Sequence, residues 1–384
     1  MQPWTTGSPA LVAEWGLDPT VDYLNHGSFG ATPRTVLAVQ TALREEMERE
    51  LILFLARQLP ARLDAVRARV AAFLDCDAPG LVFVPNATHG VQAALDAIDW
   101  LPGDEVVHAD HGYGAVKRAL LRLEHRFGVR QVPAVVPFPI ERAEQVVEAF
   151  AAAIGPRTRL VIVDHITSAT ALILPAAQLV ALARARGVPV LVDGAHAPGL
   201  LPLSIASLVP DFYTGNLHKW VCAPKGAAVL WIHPDWRRRA HPTVTSHGYG
   251  LGPAPEFEWT GTFDPTAWLA VPAALDKLEA FGLEAVRASN HGLVQEGRAR
   301  LAHALGTELP HPDSRDWYGP MAAVHVPWAQ AGQGPELTAR LYEEHRIEVP
   351  FTAYDSRCFV RISGQLYNRP EQYVRLADLL RAWR

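Results

Sequence analysis

An aspartate and a lysine follow two neighbouring apolar segments in the middle of the chain. Segment 188–192 is followed by Asp193, and segment 211–214 leads after four residues to Lys219. Charged side chains are rarely placed deep in a sheet unless they are paired or used in chemistry. Pyridoxal phosphate needs both groups, because a carboxylate binds its pyridine nitrogen and a lysine amine forms a Schiff base with its aldehyde. The pair therefore predicts a pyridoxal phosphate site.

The lysine is identified by elimination. The chain has only four lysines, and Lys117 and Lys277 lie in segments with helical spacing, while Lys225 lies in a predicted turn. Only Lys219 lies where a predicted strand passes into a loop. The usual alternative is a surface lysine whose stem packs on the protein while its amine reaches water. The neighbours of this lysine are not typical of a solvated surface: Asn216, His218 and Trp220.

A second strand-to-loop junction predicts an anion site. Segment 81–84 is apolar, and a predicted helix begins within the next few residues. Free N–H groups at a helix N-terminus bind anions, although Asn and Thr are also ordinary helix caps. We expect the cofactor phosphate to be bound here, mostly through backbone N–H groups, by Ala87, Thr88 and His89.

The pattern of apolar segments predicts an α/β fold. Continuous apolar strands separated by helices are typical of a parallel sheet covered on both faces, and ligands then gather at the C-terminal ends of the strands. We expect a large cofactor-binding domain with a mostly parallel sheet at 23–265. A smaller C-terminal α+β domain is expected at 266–384, with strands near 322–326 and 358–362. Residues 1–22 are expected to pack with the small domain.

Several motifs resemble one enzyme family. DGAHA and TGNLHKW are similar to the class V aminotransferase superfamily of fold-type I pyridoxal phosphate enzymes. YLNHGSFGATP, NATHG, DHGYGA and WTGTFDPTAWLAVPAAL resemble isopenicillin N epimerase and its relatives. The resemblance covers 23–275 closely and the C-terminal part more loosely. It implies the fold-type I architecture, a homodimer and an enzyme that acts at Cα of an amino acid or an amino-acid-derived substrate.

The resemblance also implies roles on the cofactor side of the site. His111 is expected to stack on the pyridine ring, with Tyr113 as the weaker alternative, and Thr262 to reach the partner's phosphate across the dimer interface. The polar loop after strand 159–163 suits the O3′ side of the cofactor, where we expect Ser168.

Substrate-binding residues are expected at both ends of the chain. The Gly-rich loop near residue 25 resembles a segment that faces the substrate, through Asn25, His26 and Ser28. Arg361 lies inside an apolar strand, and a planar guanidinium suits the two oxygens of an α-carboxylate. The matching position in the family binds the substrate carboxylate.

The expected mechanism depends on the transfer of one proton, at Cα of the substrate. Asp193 keeps the pyridine nitrogen protonated, because a nearby anion favours the charged form. Lys219 then removes or returns the Cα proton as a general acid–base group. We expect His196 to hydrogen-bond O3′ of the cofactor, and His218 and Asn216 to face its phosphate.

The step after proton removal stays open. Epimerisation needs a second acid–base group, for which His111 or Tyr113 are candidates, while transamination and C–S cleavage remain alternatives. A desulfurase needs a persulfide-forming cysteine on a mobile loop, and no such loop surrounds Cys76, Cys222 or Cys358. A non-catalytic module that senses pyridoxal phosphate or an amino acid is a remote alternative.

Composition excludes several other classes. A net charge of −5 gives no electrostatic reason to bind nucleic acid or an anionic membrane. Three cysteines without CxxC spacing argue against a disulfide framework or a zinc site, so we expect no metal and a cytoplasmic location. No signal-peptide pattern is found in the first twenty residues. The uncharged stretch 166–183 is split by Pro175 and fits a loop and a buried helix better than a membrane span.

Overall fold

The computed structural model describes residues 4–384, and its strands confirm the predicted alternation with helices. The twelve strands, in chain order, are β1 (Asp22–Tyr23), β2 (Leu81–Val84), β3 (Glu105–Ala109), β4 (Arg130–Ala134), β5 (Thr158–Asp164), β6 (Val190–Asp193), β7 (Phe212–Asn216), β8 (Ala228–Ile232), β9 (Met321–Gln330), β10 (Ile347–Glu348), β11 (Phe351–Tyr354) and β12 (Arg357–Ser363).

The α-helices flank these strands, and a π-helical turn and three 3₁₀ turns complete the regular structure. In chain order the helices are α1 (Pro9–Val12), α2 (His26–Phe29), α3 (Arg34–Arg49), α4 (Leu59–Leu74), α5 (Ala87–Asp96), α6 (Gly114–Phe127), α7 (Glu144–Ala153), α8 (Ala176–Ala185), α9 (Ile205–Leu208), α10 (Pro253–Glu258), α11 (Thr266–Leu269), α12 (Val271–Phe281), α13 (Leu283–Leu305), α14 (Gly334–His345) and α15 (Pro370–Ala382). The additional turns are Leu53–Gln58, Ala78–Gly80, Pro234–Trp236 and Ala331–Gln333.

A seven-stranded sheet forms the centre of the larger part of the molecule, in the order β2-β8-β7-β6-β5-β3-β4. Strands β7, β6, β5, β3 and β4 are parallel, while β8 runs antiparallel to both of its neighbours. Along β5, Val161 and Val163 pack into one hydrophobic cluster, and Leu160 and Ile162 pack into another on the opposite face. Because both faces are covered, the strands are apolar throughout rather than alternating, as the sequence predicted.

A second, antiparallel sheet of three strands, β11-β12-β9, belongs to the C-terminal part of the chain, where α13 and α15 pack together beside it. The N-terminal segment contacts this part: β1 pairs with β10, and Trp15 packs edge-on against Tyr367. Helices α11 and α12 lie after the predicted boundary at residue 265 but pack against α3 and α4 of the large domain. The position of that boundary stays a prediction.

The stretch 166–183 folds as a loop followed by the start of α8, in agreement with the sequence. No helix within residues 4–384 is both long and apolar enough to span a membrane.

Candidate active site

Three parallel strands end side by side and form the floor of a cavity of about 390 Å³. They end at Asp164, Asp193 and Asn216, and the chain after Asn216 leads directly to Lys219. The N-terminus of α5 lies at the same edge of the sheet, because Val84 at the end of β2 and Asn216 both pair with one residue of β8. The topology therefore brings the predicted cofactor residues together.

Eight of the predicted site residues line this cavity: Ala87, Thr88, Ser168, Asp193, His196, Asn216, His218 and Lys219. Ser28 and Tyr113, which the sequence placed as further candidates, also line it. Six predicted residues do not: Asn25, His26, His89, His111, Thr262 and Arg361.

The Lys219 amine is buried in the cavity wall, and its Nζ lies 3.2 Å from Nε2 of His196. Burial and the neighbouring Arg361 guanidinium lower the pKa of Lys219 to about 7, against the opposing influence of the Asp193 carboxylate. A large share of this amine is therefore neutral at neutral pH. A neutral amine is what attack on an aldehyde and removal of a proton both require.

Asp193 faces the same cavity and is buried, and its Oδ1 accepts a hydrogen bond from the backbone N–H of Ala195 at 3.0 Å. Burial raises its pKa, while that N–H and the Lys219 amine favour its anion. His196 is kept neutral, because burial and the nearby Lys219 place its pKa well below the ordinary value. Its Nδ1 accepts from the Trp220 indole at 3.4 Å, which leaves Nε2 to carry the ring proton and to donate.

The helix N-terminus corrects part of the phosphate prediction. The N–H of Ala87 donates to Asn216 Oδ1 at 2.8 Å, and the N–H of His89 donates to Asn86 Oδ1 at 3.2 Å. The His89 ring also contacts Asn86 and is exposed outside the cavity, so the ordinary helix cap accounts for this residue. Among the three predicted phosphate residues, only Thr88 has an N–H without a partner in the described chain. It is the backbone donor that remains free for an anion.

His218 lies on the same side of the cavity. Its Nδ1 lies 3.2 Å from the carbonyl oxygen of Ala227, and burial lowers its pKa to about 4. The ring is therefore neutral at neutral pH.

The stacking role of His111 stays a prediction, and the structure does not place its ring in the cavity wall. Its ring is buried away from the cavity, with Nδ1 2.8 Å from Thr170 Oγ1 and Nε2 3.1 Å from the carbonyl oxygen of Val136. One face packs on the Tyr354 ring at a centroid distance of 3.9 Å. Both nitrogens and one ring face contact protein, and only 1% of the residue is exposed. Tyr113, two residues later, is 44% exposed and lines the cavity instead.

Arg361 reaches the cavity wall from β12 without being part of its surface. Its Nη1 donates to the carbonyl oxygen of Ser168 at 2.7 Å, and its Nη2 donates to Ser28 Oγ at 3.0 Å. Burial lowers the pKa of Arg361 to about 10. No carboxylate lies within 4.0 Å of this guanidinium among the residues described, and its Nε has no hydrogen-bond partner there. A buried cation held only by neutral groups is suited to receive an anion.

Asn25 and His26 lie behind the cavity rather than in it. Asn25 Nδ2 donates to Glu348 at 3.1 Å, and its Oδ1 accepts from Ser28. His26 is fully buried, with Nε2 3.0 Å from the carbonyl oxygen of Lys219 and Nδ1 2.9 Å from the Tyr367 hydroxyl. The predicted substrate contact is therefore not seen for these two residues. Their hydrogen bonds position Ser28 and the backbone of Lys219.

Thr262 lies in an exposed loop between α10 and α11, outside the cavity of the single chain.

The cavity is also lined by Asp164, Phe29 and Lys225, for which the sequence indicated no role. Asp164 carried a signal, because it ends an apolar strand in the same way as Asp193 does. Phe29 is 67% exposed beside Ser28. No cysteine within residues 4–384 lines the cavity, and burial raises the pKa of Cys222 to about 12. A buried neutral thiol is a poor nucleophile.

Comparison with known proteins gives consistent matches. A family model for aminotransferase class-V matches residues 22–372. The chain is 35% identical to an isopenicillin N epimerase of Streptomyces clavuligerus, over 97% of this chain and 98% of that protein. It is 32% identical to a putative L-cysteine desulfhydrase of Oryza sativa subsp. japonica, over 92% of this chain and 81% of that protein. The structure of a cysteine desulfurase from Thermococcus onnurineus NA1 superposes with a TM-score of 0.82 at 18% identity, covering 100% of this chain and 99% of that one, and shows the shared fold.

Proposed function

Because the chain belongs to the class V aminotransferase family, whose cofactor is pyridoxal phosphate, we propose that this enzyme removes the Cα proton of an amino acid with the Lys219 amine. The observation that carries this proposal is the cavity itself. It holds an amine with a pKa of about 7 and the buried carboxylate of Asp193, and the buried Arg361 guanidinium lies close enough to influence that amine.

The cavity residues fit pyridoxal phosphate. Asp193 is a buried carboxylate without an ion-pair partner within residues 4–384, as the pyridine nitrogen requires. Thr88 offers a free N–H to the phosphate, with His218 and Asn216 on the same side, and His196 offers its Nε2 proton to O3′. When bound, the cofactor supplies an electron sink that acidifies the Cα–H bond.

Arg361 is proposed to bind the substrate α-carboxylate. Its two Nη atoms are held by Ser168 and Ser28, so the guanidinium is oriented before a ligand arrives. The carboxylate would approach from the cavity past Ser28, which Asn25 holds in place. A fixed cation at one end and Lys219 near the other would orient Cα toward the amine.

We propose epimerisation as the first candidate reaction, on the strength of the 35% identity to an isopenicillin N epimerase. This reaction needs a second proton-transfer group besides Lys219. Tyr113 is the candidate, because its ring lines the cavity and is accessible, while the other sequence candidate, His111, is sequestered.

Cleavage of a C–S bond is the second candidate, and the 32% identity to a putative L-cysteine desulfhydrase supports it. Elimination from a cysteine-like substrate requires the Cα base but no protein thiol. The cavity meets this requirement, because it has Lys219 and no lining cysteine. The lack of a lining cysteine among the described residues disfavours a persulfide-forming desulfurase. Transamination remains a third outcome of the same proton removal.

The proposed assembly is a homodimer. Thr262 would then reach the phosphate side of the partner's cavity from its exposed loop. Exposed apolar side chains such as Phe29, Tyr249 and Leu251 support an interface with a partner subunit. A cytoplasmic location is also proposed, supported by three cysteines that form no disulfide.

Two measurements test the function. The near-ultraviolet/visible spectrum of the purified protein should show a bound-cofactor band that shifts when amino acids are added. Incubation with amino acids in heavy water should then place deuterium at Cα. Chiral analysis separates epimerisation from the other outcomes, keto acid without sulfide indicates transamination, and pyruvate with sulfide indicates C–S cleavage.

The Lys219→Ala variant is the control for both measurements. A wild-type protein that stays colourless with added pyridoxal phosphate would refute the proposal. Deuterium exchange at Cα that persists unchanged in Lys219→Ala would refute the role of the lysine.

A further inference from the structure

We infer that Asp164 and Asp193 form a carboxyl pair with one shared negative charge, in which Asp164 keeps the proton and positions both Asp193 and Tyr113. The inference rests on the proposed function, because it assigns Asp193 to the pyridine nitrogen. It adds a positioning residue on the cofactor side of the site.

The sheet places the two carboxyl groups side by side. Asp164 is the last residue of β5 and Asp193 is the last residue of β6, and the two are direct partners in the parallel register. Both residues line the cavity, with only 4% and 5% of their surface exposed. Two like charges on directly paired residues of a buried site disfavour double ionisation, so one carboxyl retains a proton.

No cation forms an ion pair with Asp164 in the described chain. Within the described chain no Lys, Arg or His nitrogen lies within 4.0 Å of its carboxyl oxygens. The basic groups of the neighbouring elements α6 and β3 are bound elsewhere. Lys117 donates its amine to the carbonyl oxygen of Asp110 at 2.6 Å, and His108 holds its Nδ1 2.9 Å from the carbonyl oxygen of Ala109. The remaining group that faces Asp164 is Asp193, which is an acid as well.

The surroundings of the two acids place the proton on Asp164. Asp193 receives the Ala195 N–H at 3.0 Å and lies near the Lys219 amine, and both favour its anion. Asp164 receives the Tyr113 N–H at a longer 3.3 Å, and the Lys117 amine is a weaker influence toward its anion. Burial, with the Asp193 charge as a second cause, raises the pKa of Asp164 to about 7.

This arrangement connects the pair to the ring that lines the cavity. Tyr113 is the residue before α6, and its backbone N–H is held by Asp164 Oδ1. A neutral Asp164 can accept from Tyr113 and at the same time donate its proton to the Asp193 anion. Asp193 would thus keep its negative charge for the pyridine nitrogen. Tyr113 would keep its position beside the pyridine ring.

The Asp164→Asn variant tests the inference, because an amide has the shape and the hydrogen-bonding pattern of the neutral acid. Infrared difference spectra of the cofactor-free full chain between about pH 5.5 and 8.5 should show a protonated-carboxyl C=O band that disappears as the pH rises through about 7. Asp164→Asn should lack this band. Asp235→Asn is the matched control, because its carboxylate is 82% exposed, and it should retain the band.

Cofactor binding supplies the second readout. Asp164→Asn should bind pyridoxal phosphate within about threefold of wild type, whereas Asp164→Ala, which removes the acceptor for Tyr113 and the donor to Asp193, should bind at least about tenfold more weakly. The inference is overturned if wild type and Asp164→Asn have the same infrared band, or if Asn weakens binding as much as Ala. Failure of wild type to bind pyridoxal phosphate at all would instead refute the proposed function, and the infrared result would still decide where the proton lies.

Discussion

Replacing Lys219 by Met should make the cofactor-free protein more stable at neutral pH. Folding lowers the pKa of this lysine from about 10.5 to about 7, chiefly through burial. Between these two values the unfolded chain binds a proton that the folded chain does not, so the free energy of unfolding of wild type rises with pH. The destabilising effect of the lysine is complete below about pH 7 and is lost as the pH approaches about 10.5.

The expected magnitude follows from the two pKa values. A difference of about 3.5 units at about 1.36 kcal/mol each gives about 5 kcal/mol below pH 7 and about 3 kcal/mol at pH 8. Methionine has a similar length and carries no charge, so Lys219→Met removes this loss of stability. The active-site lysine thus lowers stability for the sake of a reactive amine, which is a common relation between stability and function.

Urea denaturation at a series of pH values from about 6 to 10 measures the effect in both proteins after removal of the cofactor. The stability advantage of Lys219→Met should shrink as the pH rises. Lys277→Met is the control, because Lys277 is partly exposed and forms an ion pair with Glu14 at 2.7 Å. We expect it to lose no more than about 1 kcal/mol, with little change over this pH range.

An advantage of Lys219→Met that is the same at every pH would contradict the reasoning, because it would reflect packing alone. A destabilised Lys219→Met at neutral pH would show that the folded protein stabilises the charged amine.

Three further predictions concern neighbouring residues. Arg361→Met should lower kcat/KM for amino acids by about 10²- to 10³-fold, because the lost interaction is with the substrate carboxylate. The Kd for pyridoxal phosphate should stay within about threefold of the wild-type value. An unchanged KM and kcat would contradict this role. Tyr113→Ala should weaken pyridoxal phosphate binding by about tenfold, whereas His111→Ala should mainly lower the thermal stability. Equilibrium titrations and melting curves measure the two effects. The reverse pattern would support the stacking role of His111. Thr262→Ala should weaken cofactor binding by about fivefold if the partner completes the phosphate site, and a chromatographic monomer with full cofactor affinity would exclude that role.

Much of the site was accessible from the sequence because its chemistry is encoded locally. A continuous apolar strand that ends in a charged residue identifies both the sheet edge and the functional side chain, as Asp193 does. The scarcity of lysine isolates Lys219, since no other lysine has the same surroundings. An arginine embedded in an apolar strand similarly identified Arg361 as a candidate, and β12 confirms that it is buried.

Tertiary structure alone decided which neighbouring side chain enters the cavity. His111 and Tyr113 are two residues apart in one loop, yet Thr170, Val136 and Tyr354 enclose the first while the second is left accessible. No local pattern encodes that difference, because the enclosing groups come from distant parts of the chain.

The pairing of the two carboxyl groups was also decided by the tertiary structure. Asp164 and Asp193 end different strands, and only the register between β5 and β6 sets them side by side. The sequence therefore determined which residue types stand at the strand ends, since strand formation and charge are local properties. The side-chain directions and the mutual distances, and with them the pKa values, were decided by packing between segments far apart in the chain.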